Sequence, residues 1–434
     1  MLLRARGDMC PAPVGEEEGG VSQEHKQQLH RQKVQGAWET WKRVESLVRE
    51  GRCFVIDGGV GTELERRGAK MDQKGWSCAT QLYEPELVTA VHGDYIRAGA
   101  EIVIANTYAS NRNVMAPSGL GDKVGHAIEE AVRCAVSARN AASSSSSLGP
   151  PPGELRDTEW PLIAGSLSTH PPSALETGNE GERDPREMLR AAWPSPSVEA
   201  EGFQEAADLL AREPAVRFLF TEMMKDRQHA ARALKAAGSC GLPVFLGIST
   251  QIRRDGSLVL WGSEIEFTAE VLRFLMECVG RNLVGVSIMH TNFSAMLPTL
   301  RVVRQVWDGP LGAYPDHGSF RMPNWEFGEV DLDEAARHAE RWIEECGLRF
   351  LGGCCGTGPD LIQTFSAVCR SREGGWGGNK RENLCEQRGR EKEEEGGEGE
   401  GERQERGCVW FRWLRRRRGG SANGGGSKRV SLSE

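Results

Sequence analysis

Arg349-Phe-Leu-Gly-Gly-Cys-Cys-Gly-Thr-Gly-Pro359 reads as a short apolar strand, a glycine-rich turn and a helix that opens on proline. Proline suits a first helical turn, so a helix is expected over Asp360 to Arg370. In a regular strand Cys354 and Cys355 would point to opposite faces, and two sulfurs can reach one point only where the backbone bends. Gly352, Gly353 and Gly356 permit that bend. The stretch therefore predicts a strand-to-helix unit with two thiols at the carboxyl end of its strand. Core packing is the ordinary use of a free cysteine, and an adjacent pair is not the usual Cys-x-x-Cys metal spacing. The meaning of the pair depends on what the rest of the chain brings to it.

The same rhythm of strand and helix runs back through the chain. Strand-like runs fall at 53–58, 100–107, 161–167, 217–223, 243–249, 283–290, 310–315 and 349–354. Helical candidates lie between them at 84–98, 123–140, 199–212, 226–238, 264–280, 294–306 and 333–346. Strict alternation implies parallel strands joined by crossover helices, and eight such units close a (β/α)8 barrel. An open doubly wound sheet is the alternative, and the count of eight disfavours it. The barrel is expected over residues 38–372, led in by an amphipathic helix from Trp38 to Glu50.

Two segments interrupt the rhythm: the Ser- and Pro-rich 143–152 before the third strand and the Pro/Gly/Glu-rich 170–197 after it. Both read as surface insertions. Residues 1–37 are polar and mixed, and residues 373–434 pass from Gly/Glu-rich low complexity to an arginine cluster, so both tails are expected to be disordered. These tails account for a hydrophobic share of 38%, below the usual ~45–50%. The net charge of −8 offers no attraction for nucleic acid or an anionic membrane. No apolar run approaches the ~18 residues of a membrane span. The N-terminus has neither the apolar core of a secretory signal nor the acid-poor character of a transit peptide. Twelve cysteines without a disulfide-framework spacing point to a reducing compartment, and the cytoplasm is the expected location.

In a (β/α)8 barrel the chemistry collects where strands meet the following loops. Asp57 ends the first run, Asn106-Thr107-Tyr108 the second, Glu222 the fourth, His290 the sixth, Tyr314 the seventh and the cysteine pair the eighth. Each has an ordinary explanation alone, as a turn cap, a core aromatic or an ion-pair partner. Together at one rim they read as a site.

Three blocks carry a family resemblance: Asp57-Gly-Gly-Val-Gly-Thr-Glu-Leu64, then His92-Gly-Asp-Tyr-Ile-Arg-Ala-Gly-Ala100 running into Ala105-Asn-Thr-Tyr108, and Gly352-Gly-Cys-Cys-Gly-Thr357. In these the chain resembles the homocysteine S-methyltransferases, zinc-dependent barrels. The resemblance implies small-molecule substrates, homocysteine and a methyl donor. It implies Zn2+ held by Cys354 and Cys355, with Asp57 and Glu222 holding the homocysteine ammonium and Tyr108 and Thr62 among the substrate-binding residues. The family's third zinc ligand is a cysteine ending the sixth strand, whereas Val284-Gly-Val-Ser-Ile-Met-His-Thr291 contains none. His290 is the candidate in its place, with Ser287 as an alternative, while the nearest cysteine, Cys278, sits on the preceding helix where it should face the core.

The chemistry supports zinc independently of the resemblance. A thiol of pKa about 8.5 is mostly protonated at pH 7, and ionising it costs roughly 2 kcal/mol. Coordination to zinc deprotonates it outright. A Cys2His set with one open position is a familiar catalytic pattern, and the open position would receive the acceptor thiol. Betaine, S-methylmethionine and S-adenosylmethionine are the candidate donors, since no G-x-G-x-x-G nucleotide fingerprint appears. A barrel that binds a thiol amino acid or zinc without turnover is the main rival. A phosphate-binding aldolase is disfavoured because no strand-like run ends in lysine.

Overall fold

The computed structural model describes residues 23–72, 75–144, 160–170, 193–321 and 324–373. The expectations for 1–22 and 374–434, and for most of the two insertions, lie outside these residues. Each apolar run forms a strand: β1 Phe54–Val55, β2 Ile102–Ile104, β3 Leu162–Ser168, β4 Val216–Met224, β5 Val244–Ile248, β6 Leu283–Asn292, β7 Leu311–Asp316 and β8 Phe350–Leu351. They pair in one sheet in the order β1-β8-β7-β6-β5-β4-β3-β2. A parallel bridge from Ile56 to Ile102 joins the two ends, with Glu101 N donating to Val55 O at 2.7 Å and Asp57 N to Ile102 O at 3.0 Å. The ring is thereby closed as the expected (β/α)8 barrel.

Crossover helices surround it. After a lead-in helix, α1 Gln23–Arg49, come α2 Val60–Arg66, α3 Pro85–Arg97, α4 Val124–Ser144, α5 Pro196–Arg212, α6 Gln228–Ser239, α7 Ala269–Val279, α8 Phe293–Arg304, α9 Leu332–Cys346 and α10 Pro359–Glu373. The expected start of the last helix at Pro359 holds. Antiparallel hairpins at 250–260 and 319–326 follow β5 and β7 on the same rim.

Side chains alternate along each strand, and this parity sorts the barrel interior. Phe218, Phe220 and Glu222 share the inward face of β4, apolar at its amino end and acidic at its carboxyl end. The lower interior is filled by aromatic rings. Phe220 stacks on Phe245 at 4.5 Å, Phe245 meets Phe350 edge-on at 5.0 Å, and Phe350 stacks on Phe54 at 5.5 Å. The barrel interior is a packed core, and a pocket opens at its carboxyl rim.

The amino end is closed by α1. Trp41 lies edge-on to Phe245 at 5.6 Å and to Phe218 at 6.0 Å and is 1% exposed. The expectation that residues up to 37 are disordered is corrected here, because α1 begins at Gln23. Its first turns are polar all round and so lack an apolar periodicity, yet Gln, Lys, Arg and Glu are strong helix formers. Tertiary contacts then fix it: Lys33 Nζ donates to Ala211 O at 2.6 Å and Trp38 Nε1 to Gly241 O at 2.8 Å. No helix among the described residues is long and apolar enough to cross a membrane.

The floor contacts predict a specific loss. Truncating a buried aromatic costs about 3–5 kcal/mol, so Trp41→Ala should lower unfolding stability by that order in urea melts. A loss below ~1 kcal/mol would show that α1 does not seal the barrel.

Candidate active site

The cysteine turn is shaped by close backbone approaches. The strand pairing of β8 runs on past Leu351 as single bonds, Gly352 N to Ala313 O at 3.0 Å, Gly353 N to Asp57 O at 3.0 Å and Cys354 N to Pro315 O at 2.8 Å. A Cβ on Gly352 would stand 2.8 Å from Ile56 Cβ and 2.9 Å from Asp57 O, so only glycine lets the last strand press this closely on the first. Gly356 has φ +74°, and a Cβ there would meet His317 O at 1.7 Å. The resulting bend turns both thiols the same way, with Cys354 Sγ 3.9 Å from Cys355 Sγ. Thr357 Oγ1 donates to Cys354 O at 2.7 Å and His317 N to Cys355 O at 2.9 Å, which hold the turn.

His290 reaches the thiols because β6 carries a bulge. Met289 pairs with Tyr314 but Asn292 pairs with Asp316, so β6 spends one residue more than β7. The position skipped on β7 is Pro315, which has no N–H to give to a ladder. His290 takes φ +44° there, a left-handed conformation that costs a non-glycine residue of order 1–3 kcal/mol. Its Nδ1 lies 4.0 Å from Cys354 Sγ, and the three candidate ligand atoms of His290, Cys354 and Cys355 all lie within 4.8 Å of one another. Among the described residues this is the one such cluster. Cys278 does not belong to it, and Ser287 is not among the residues that line the pocket.

A second bulge serves Glu222. Thr221 pairs with Leu246 and Met224 with Ile248, and Met223 takes φ +59°. Bulges re-aim side chains at barrel rims. The buried Glu222 carboxylate accepts a hydrogen bond from Ser166 Oγ.

These residues line one pocket of about 560 Å³ of empty space, mouth included. Asp57, Tyr108, Glu222, His290, Tyr314, Cys354 and Cys355 all contribute to its wall, with Trp76, Ser166, Met289 and the glycine turn 58–61. Thr62, expected to touch substrate, does not line it. Its hydroxyl accepts from Gly356 N at 3.0 Å and donates to Gly59 O at 3.0 Å, so it braces the cysteine turn from behind. Ser166 and Met289 were missed because each sits within a strand without a charge or an unusual spacing to mark it. Asp316, whose Oδ2 lies 3.6 Å from His290 Nδ1, was legible as an acidic residue ending the seventh strand.

Burial dominates the electrostatics. It pushes the Glu222 carboxyl up to about 7, against the Ser166 hydrogen bond. It also drives Asp57 well above the ordinary carboxylate range, although Ile104 N donates to Asp57 Oδ2 at 2.9 Å. His92, whose Nδ1 is 3.9 Å from Asp57 Oδ2, is held neutral by burial, its pKa lowered to about 4. Cys354 donates to Cys355, which lowers the Cys355 pKa and raises that of Cys354. Burial opposes charge on His290, but Cys355 and Asp316 outweigh it and its pKa rises. Two thiols and an imidazole are metal-ligand chemistry. The observed separations of 3.9 and 4.0 Å fit a tetrahedral ion, whose ligand atoms stand about 3.6–3.8 Å apart.

A family model described as homocysteine S-methyltransferase matches residues 54–369. The chain is 28% identical over 339 residues to a selenocysteine methyltransferase of Astragalus bisulcatus, covering 75% of this chain and 95% of that protein. It is 27% identical over 330 residues to a homocysteine S-methyltransferase of Escherichia coli, covering 75% and 97% respectively. Among solved structures, the metallated form of the homocysteine methyltransferase MmuM from Escherichia coli superposes with a TM-score of 0.56 at 21% identity, over 75% of this chain and 99% of that one. At that identity the match supports the barrel fold.

The carboxyl of Glu222 should titrate near pH 7 in metal-free protein, followed by isotope-edited infrared spectroscopy. Ser166→Ala removes a donor to the ionised form and should move that titration upward. An unchanged or lower value would show that Ser166 does not tune Glu222.

Proposed function

The chain belongs to the homocysteine S-methyltransferase family, and from that membership we propose that it moves a methyl group from a small sulfonium or quaternary ammonium donor to the thiol of L-homocysteine, giving methionine. One observation carries the reading. The thiol–imidazole cluster shares a single pocket with two buried carboxylates, Asp57 and Glu222, whose burial makes them poor hosts for charge until a cation enters.

Zinc is the ion this donor set suits, and Cys354, Cys355 and His290 would hold it. Held there, zinc would lower the pKa of the acceptor thiol and so would supply a thiolate nucleophile near neutral pH.

Asp57 and Glu222 receive the α-ammonium of the acceptor through charge-assisted hydrogen bonds. The backbone of the glycine turn 58–61, which faces the pocket, neighbours the α-carboxylate. Trp76 and Tyr108 meet edge-on at 5.9 Å on the pocket wall and offer ring surfaces to the onium centre of the donor. The methyl carbon leaves a positively charged sulfur or nitrogen, its bonding pair staying with that atom, and bonds to the acceptor sulfur. The step itself transfers no proton. Selenocysteine belongs in the acceptor set to be tested, given the relative named for it. The cytoplasm remains the proposed setting, because the cysteine pair ligates only when reduced.

Methionine formation measured by mass spectrometry, with zinc-loaded protein and the three donors, tests the reaction. Glu222→Ala should lower kcat/KM by about ten- to a hundred-fold, the equivalent of a charged hydrogen bond of roughly 1.5–3 kcal/mol, with zinc content unchanged. Cys355→Ser should abolish both stoichiometric zinc and turnover. Below pH 7 protonated Glu222 must release its proton when the ammonium binds, so acceptor affinity should rise with pH toward about 7. Zinc-loaded protein that binds homocysteine yet forms no methionine with any donor would make this a binding barrel.

A further inference from the structure

Tyr314 stands on the inward face of β7 and lines the pocket, its ring edge-on to Phe220 of the aromatic floor at 6.4 Å and 78°. The residue is 2% exposed, and its hydroxyl completes no hydrogen bond among the described residues. An unpaired buried hydroxyl is costly, so a phenol here needs a reason that phenylalanine would not serve. Its direction supplies one. The hydroxyl crosses in front of β6 and comes to rest against β5, where a Cβ on Gly247 would stand 3.2 Å from it. Thr221 of β4 pairs with Leu246 of β5, so Glu222 and Gly247 are the next residues along these two strands. The hydroxyl therefore arrives beside Glu222, on the side opposite Ser166, which approaches from β3. Burial, Glu222 and Cys354 hold the phenol well above its ordinary pKa, so it faces these acceptors as a donor.

We propose that Tyr314 is a positioning residue for Glu222, a second hydroxyl donor that engages the carboxylate when the ammonium of an α-amino acid ionises it. An ionised carboxylate accepts several hydrogen bonds, and in a site shielded from solvent it gains most from donors already in place. Ser166 from β3 and Tyr314 from β7 then hold it from two sides and leave its remaining lone pairs to the ligand's ammonium. Such a hydroxyl contributes to the complex and not to the ligand-free fold, unlike the hydroxyl of a structural tyrosine. The inference rests on Glu222 as host of the acceptor's ammonium and does not depend on methyl transfer.

Calorimetric binding to the full chain with zinc supplied and no methyl donor, together with urea melts of the ligand-free chain, provides the test. Tyr314→Phe should weaken L-homocysteine binding by about tenfold or more, the effect of one hydrogen bond to a charged group. The urea midpoint should stay unchanged or rise. Binding of 4-mercaptobutanoate, the same thiol without the ammonium, should change by less than about threefold. In a Glu222→Gln background Tyr314→Phe should likewise alter homocysteine binding by less than about threefold, because the charged acceptor is gone. Glu222→Ala serves as that background if Glu222→Gln does not fold. Equal losses in both backgrounds, no loss in the parent, or a fall in the urea midpoint in place of a fall in binding overturns the role of Tyr314. Parent protein that binds homocysteine no better than 4-mercaptobutanoate overturns the ammonium reading of Glu222 with it. The full pattern without methionine formation leaves Tyr314 in place and removes only the transferase reading.

Discussion

The pocket depends on how tightly the eighth strand packs against the first. Gly352 lies against Ile56 and the carbonyl of Asp57 at distances that leave no room for a side chain, and Gly353 N bonds to the same carbonyl at 3.0 Å. That contact does two things at once. It seats the last strand against the first in the barrel ring, and it sets the cysteine turn beside Asp57, just beyond β1. The turn is then secured by Thr62, Thr357 and His317, so the thiols ride on a rigid frame and not on a free loop.

Two strained residues complete the arrangement. Met223 and His290 both adopt left-handed backbone conformations at bulges on β4 and β6, the two strands that carry Glu222 and the candidate third ligand. Strain of this kind persists only where surrounding structure enforces it. Here the enforcement is mutual, since Met223 N donates to Met289 Sδ at 3.3 Å and Ser249 Oγ to the same sulfur at 3.0 Å. Met289 thus ties the bulge of β4 and the end of β5 to β6.

The same burial that builds the aromatic floor makes the pocket costly for charge. Two carboxylates deep in a barrel repel each other and lack solvent, so each favours its proton. A cationic group placed beside them would offset that cost.

The sequence by itself determined the barrel and most of the pocket wall. Eight apolar runs separated by helical stretches admit few topologies, and polar residues at their carboxyl ends must share one rim, so Asp57, Tyr108, Glu222, His290 and the cysteine pair could be assembled before any coordinate was known. Such features are local, written in period and punctuation. The tertiary structure decided what depends on contacts between distant segments. The polar start of α1 acquires its place from carbonyls of Ala211 and Gly241, and Thr62 turns out to brace a loop far along the chain. Bulges opposite a proline and the approach of Asp316 to His290 follow from strand register, which no single strand encodes. A one-residue slip in register turns every following side chain over, and that is settled only when the neighbouring strand is in place.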